Sequence, residues 1–173
     1  MALLHLTSER PDSEIAKSIN ATALAAEAQF TGLRFEGPYP ESGIGIQDIR
    51  AKQVGLANNV WQMTITTSFA DWVNKTLGTD NFLIVTGVFN LTVDPSTTEI
   101  FPKANGKDLP IVSLEQLYAD TQRSGAWFQK PFSVRPSNNL TIQAVGRVAQ
   151  TERLGLLGYC IGKRSYLIDA TPA

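Results

Sequence analysis

Residues 81–93 constrain the fold most. Leu83, Val85, Gly87, Phe89, Leu91 and Val93 alternate with Phe82, Ile84, Thr86, Val88, Asn90 and Thr92. Successive side chains of a strand point to opposite faces, so this run reads as a strand and not as a helix. Its first half is apolar on both parities and its second half on only one. The first half therefore needs cover on both faces, and the second half does not. That asymmetry suits a sandwich in which one sheet is partly covered by a further element. The Asp-Pro-Ser stretch at 94–96 ends the strand as a turn.

Weaker signals surround this strand. Over 60–68, Trp61, Met63 and Ile65 share one parity with Phe69, while Gln62, Thr64, Thr66 and Ser68 share the other, which predicts a strand. A short helix is expected over 68–78. Ser68 would be its cap, Asp71 would lie in its first turn, Phe69, Trp72, Val73 and Leu77 would mark one face, and Gly78 would stop it. A short strand at 111–112 leads into a second helix. Ser113 and Gln116 form its capping box, Leu114, Leu117 and Tyr118 its buried face, and it ends near Gln122. Four further strands are predicted at 127–134, 140–148, 154–161 and 165–169, with 136–139 as a turn. Gly87, Gly146, Gly155 and Gly158 fall inside strands, which marks bulges or close packing. Near the N-terminus, Asp12 or Ser13 can cap a helix carrying Ile15, Ile19, Ala23 and Ala26, although extended chain fits 12–30 as well. Residues 37–45 read as loop.

Strands that recur without long helices between them pair antiparallel. The expected fold is all-β: a single jelly-roll barrel or sandwich of about eight antiparallel strands with short inserted helices. The expected organisation is an N-terminal arm at 1–10, one domain at 11–170 and a C-terminal tail at 171–173.

Composition then excludes function classes. A chain of 173 residues can bury one proper core. Charged residues make up 18%, below the usual quarter, which points either to surface covered by partners or to a surface rich in Thr, Ser, Asn and Gln. The net charge is −1 and no dense basic patch occurs, so specific nucleic-acid binding is not expected. No apolar run approaches the roughly 20 residues of a membrane span, and the first residues lack a signal peptide's apolar core. Cytosolic synthesis is expected, and the four Asn-x-Thr matches at Asn20, Asn74, Asn90 and Asn139 then read as chance. The single cysteine, Cys160, sits in apolar context; it reads as a buried thiol, with an intermolecular disulfide as the sharper alternative.

The search for catalytic chemistry finds little. One histidine, His5, cannot supply a His-rich metal site. Asp80, Asp94, Asp108, Asp120 and Asp169 sit in turn-forming contexts and form no ligand pattern, and Gly43-Ile44-Gly45 lacks the rest of a phosphate-binding loop. No catalytic residue, metal ligand or cofactor is therefore assigned, and no enzymatic activity is expected. The aromatic residues are the remaining lead. Trp61, Trp72 and Trp127, with Phe128, Phe132, Tyr159 and Tyr166, can form either core or a sugar-stacking platform. Tyr39 between two prolines and the Trp127-Phe128 pair are the expected exposed anchors for a protein partner. With Cys160 they are the interface candidates.

The whole-chain size, the run at 81–93 and the C-terminal strand series around Phe132-Ser133-Val134-Arg135-Pro136 resemble a viral capsid jelly roll. The resemblance is to the small major capsid proteins of sphaerolipovirus-type, internal-membrane icosahedral phages of Thermus. It implies an upright β-barrel that pairs with itself, as a homodimer, and with a larger companion capsid protein. It further implies a place in the virion shell, close to an internal membrane, after synthesis in the host cytoplasm. Near-zero net charge limits repulsion among many identical copies. A carbohydrate- or receptor-binding sandwich, a phage decoration or spike protein, and a small enzyme on the same scaffold are the competing readings.

Overall fold

The computed structural model describes residues 6–119 and 125–169. Along the chain these form β1 (Leu6–Thr7), α1 (Asp12–Gln29), β2 (Phe35–Gly37) and β3 (Ile44–Asp48). Two 3₁₀ turns follow, Ala51–Val54 and Ala57–Asn59. Next come β4 (Met63–Ile65), β5 (Ala70–Thr76), β6 (Asn81–Asn90), β7 (Thr97–Ala104), β8 (Lys107–Asp108), β9 (Val112–Ser113) and α2 (Glu115–Ala119). The chain closes with β10 (Gly125–Val134), β11 (Asn139–Gly146), β12 (Gln150–Glu152), β13 (Leu154–Lys163) and α3 (Arg164–Leu167).

One sheet has the order β1-β10-β6-β13-β3-β2. Its pairs are antiparallel except β2 with β3. The other has the order β5-β11-β7-β8, with β9 also on β7. β4 and β12 form a separate ribbon. The inner faces of the two sheets share one apolar cluster, in which Leu83, Val85, Phe128 and Leu156 of the first meet Val73, Ile100, Leu140 and Ile142 of the second. The molecule is thus a predominantly β, two-sheet sandwich.

The double-sided apolar half of β6 is covered as its pattern requires. Leu83 and Val85 enter the core between the sheets, while Phe82 and Ile84 face outward under α1. The helix buries Ile15, Thr22, Ala23 and Ala26, one stripe at helical spacing. Small residues in that stripe let the helix lie close to the sheet. Phe30, just past its end, stands edge to face with Phe82 at 6.0 Å between ring centroids. The first turn carries Asp12 and Glu14, but neither Asp12 nor Ser13 caps it; Pro11 occupies that position without a side-chain cap. No helix among the described residues is long and apolar enough to cross a membrane.

Several expectations are corrected. The segment 68–78 is not a helix but contains strand β5. Ile142 pairs with Val73 and Gln143 with Asp71, which leaves Trp72 as a bulge. The bulge turns the adjacent Trp72 and Val73 both inward and breaks the period of two, so the apolar spacing imitates a helix face. The segment 165–169 is not a strand. β13 loses its partner where β3 begins, and the chain then closes an internal turn, with the Ile168 N–H donating to the Arg164 carbonyl. Residues 44 and 45, read as the end of a loop, open strand β3. The predicted strand over 60–68 shrinks to β4, because Asn58 and Asn59 turn the chain just before it. The helix expected after Ser113 forms as α2, but its first carbonyl acceptor is that of Leu114. β7 was not anticipated at all, since Pro102 in its middle argues against a strand.

The described part of the expected arm, residues 6–10, opens as a two-residue edge strand, with Leu6 opposite Phe128 and Thr7 opposite Trp127. Residues 1–5 of the arm with His5, the predicted helix end near Gln122 with Asp120, and the tail at 171–173 lie outside the described residues.

Candidate functional site

Helix α1 covers only part of the outer face of the six-stranded sheet. Beyond it the face is shaped by two bulges. In β6, Val85 pairs with Gly158 and Gly87 with Leu157, so Thr86 has no opposite residue. In β10 the pairing jumps from Trp127 opposite Gly87 to Phe132 opposite Val85. The chain between them bulges, with Gln129 and Lys130 exposed, while Phe128 and Phe132 pack together in the core at 5.9 Å between ring centroids.

Glycines on three neighbouring strands let backbone and rings pack closely on this outer surface. Gly87 lies between Trp127 of β10 and Leu157 of β13. A Cβ there would overlap the Ala126 carbonyl oxygen and come within 3.0 Å of the Trp127 Cα. Phe89, one step along β6 from Val88, is flanked by Gly125 and Gly155. A Cβ at Gly155 would overlap the Phe89 ring, so the ring rests on the β13 backbone. Beside these contacts the outer face holds a groove of roughly 370 Å³, with Thr86, Phe89, Leu157 and Gly158 in its floor, at the small end of the about 300–1,000 Å³ usual for ligand sites.

The groove walls are aromatic and amphipathic. Trp61, from the segment before β4, meets the Phe89 ring edge to face, with centroids 6.1 Å apart and planes at 82°. Trp127 and Tyr159 also line it, and all four rings are half-buried. At the rim, an Arg10 Nη2–H donates to the Tyr159 hydroxyl at 2.6 Å. The Arg10 Nε lies 3.2 Å from an Asp12 carboxylate oxygen. Asp48, opposite Tyr159 on β3, is exposed on the same groove.

The sequence-predicted interface residues separate. Tyr39 is 90% exposed. Trp127 is half-buried in the groove wall. Phe128, expected as an exposed anchor, is 1% exposed and part of the core, because it shares the inward parity of β10 with Ala126 while Trp127 between them faces out. Cys160 is fully buried and free. Asn81 Nδ2 lies 3.6 Å from its sulfur. Burial pushes the thiol pKa up to about 12, against the opposing effects of Asn81 and Arg50. Of the aromatic set weighed for sugar stacking, Trp61, Trp127 and Tyr159 converge, whereas Trp72, Phe128 and Phe132 are core. Phe89 and Arg10 were not singled out from sequence; the glycines opposite Phe89 were the available signal.

A second polar feature was also missed. Glu152 is fully buried. Its Oε1 accepts from Asn90 Nδ2 at 2.7 Å and the Thr97 hydroxyl at 2.8 Å, and its Oε2 from the Ser96 N–H at 2.8 Å and Gln150 Nε2 at 3.0 Å. Burial alone would raise its pKa; the hydrogen bonds from Asn90, Gln150 and Ser96 outweigh that and hold it below the ordinary carboxylate value. Asn90 also donates to the Tyr118 hydroxyl at 3.2 Å, so the network ties β6, β7, β12 and α2 together. Every donor is neutral and pairs with an acceptor oxygen, which fits a structural knot and not a proton-transfer site. Among the described residues no group of three or more His, Cys, Asp or Glu could hold a metal ion. No protein-family model, curated protein or solved structure matches the chain.

Proposed function

We propose that the chain is a structural capsid protein, folded as a single jelly roll, that associates with itself and with a larger companion capsid protein. In this reading the assembly is an icosahedral shell over an internal membrane, and the chain does no catalysis. Nested strand pairing carries the proposal. The outermost pair is β3 with β13, then β5 with β11, then β6 with β10, and innermost β7 with β8. One long antiparallel hairpin folded over itself gives that order, with β3-β13-β6-β10 facing β5-β11-β7-β8. Two nested Greek keys of this kind are the architecture of viral capsid domains. The same architecture serves lectins, so fold alone does not decide function. The low charge density and the 90% exposed Tyr39 between two prolines favour packing against protein.

Light scattering of the purified protein, alone and mixed with the other capsid proteins of a virion, tests the reading. A dimer or a mixed complex is expected. A chain that stays monomeric at high concentration and binds no companion overturns it.

A further inference from the structure

We propose that the aromatic-walled groove over Phe89 and Leu157 binds carbohydrate, taking a short stretch of a neutral glycan against Trp61 and Trp127. The proposal does not depend on the shell reading, because it concerns the outer face of one copy.

Three observations carry it. The groove has a formed floor: Phe89 of β6 and Leu157 and Gly158 of β13 line it, and the Phe89 ring is seated where a Cβ at Gly155 would lie. The walls are rings and not aliphatic chains. Aromatic rings present broad, rigid apolar faces beside polar tips, which suits pyranose rings with C–H faces and hydroxyl edges. The rim carries one cation and one anion, Arg10 and Asp48. Arg10 spends donors on Asp12 and Tyr159, but a guanidinium has five N–H groups and so keeps donors for ligand hydroxyls. Asp48 supplies acceptors. Opposite charges on one small site favour a neutral, hydroxyl-rich ligand over an anionic glycan or a phosphate. The volume of roughly 370 Å³ suits a small ligand and is too small for a helix or a strand pair.

The test is a glycan array of neutral and acidic sugars probed with the intact protein, followed by titration of the best hit with tryptophan fluorescence as readout. A neutral glycan is expected to bind and to perturb the emission. Trp127→Ala should weaken it at least tenfold. Arg10→Ala, at an exposed side chain that cannot unfold the sandwich, should weaken it several-fold and guards against misfolding of the tryptophan variant. Tyr39→Ala, away from the groove, should bind as the parent does. A blank array, hits confined to acidic glycans, or an affinity untouched by both groove substitutions each overturns the proposal. So does a groove occupied by a second copy, seen as self-association lost in Arg10→Ala and Trp127→Ala. A blank array or an acidic preference leaves the shell reading untouched, whereas self-association lost in both groove variants would support it while overturning the glycan proposal.

Discussion

Glu152 shows how one side chain can hold several elements in register. Removing it leaves the Asn90 amide, the Ser96 N–H and the Thr97 hydroxyl buried without their acceptor. Orphaned buried donors cost about 1–3 kcal/mol each. Glu152→Ala is therefore expected to lower the unfolding free energy by about 3 kcal/mol or more, measured by urea denaturation. The depressed pKa fixes the sign of the pH dependence. In the unfolded chain the carboxyl titrates near 4.5; in the folded protein it holds its charge to lower pH. Its contribution is thus fully present above the unfolded value and is lost as pH falls through the folded one. Urea midpoints stepped downward from pH 6 should show this acid loss in the parent and a flatter profile in Glu152→Gln. Cys160 gives a second outcome. A fully buried thiol with a pKa pushed up to about 12 is a poor nucleophile. At pH 8 a maleimide should label the native protein far more slowly than the urea-unfolded chain. Rapid native labelling, or a disulfide dimer on mild oxidation, would show that the strand β13 opens.

The elements differ in how plainly the sequence announced them. The doubly apolar half of β6 was legible, and so was the need for cover on its outer face, because period two and hydrophobicity are local properties. Which element supplied the cover was not: the α1 stripe of Ile15, Ala23 and Ala26 has few large residues, and only the sheet beneath makes a helix there worthwhile. β5 and β7 were misread or missed because a bulge at Trp72 and a proline at 102 break the local period. The groove was half-legible. The internal glycines and the tryptophans stood out, but their convergence depends on the register of β10, β6 and β13, which pairs residues far apart in sequence. Glycines test this account. Gly87→Ala forces a methyl into the Ala126 carbonyl and should cost more than about 2 kcal/mol, the upper range of overpacking. Gly78 has an open environment, and Gly78→Ala should change the melting temperature by no more than a degree or two. Similar costs at both positions would mean that the sheet relaxes around position 87.

The two ends of the sandwich are unlike, and the difference bears on how a whole molecule meets its neighbours. At one end the turns are short and cross-linked by polar groups: the Leu77 N–H donates to the Asn138 carbonyl, the Ser137 N–H to that of Gly78, and the Asn105 side chain to that of Ser133. At the other end the connections are longer, contain the 3₁₀ turns, β4, β12 and α2, and carry exposed Leu91, Val93 and Val148. Tyr39 belongs to neither end, since it projects from the connection between β2 and β3 at the sheet edge. A side chain that touches little of its own molecule adds little to folding stability, so its effect on assembly can be read separately. Tyr39→Ser should leave the thermal midpoint unchanged. If the residue anchors a contact between copies, its loss should cost about 2 kcal/mol, the threshold of an interface hot spot, or roughly a 30-fold weaker dimer. Sedimentation velocity over a dilution series measures this directly. An unchanged dimer constant would remove Tyr39 from the interface and leave the long-loop end, with Leu91, Val93 and Val148, as the surface to substitute next.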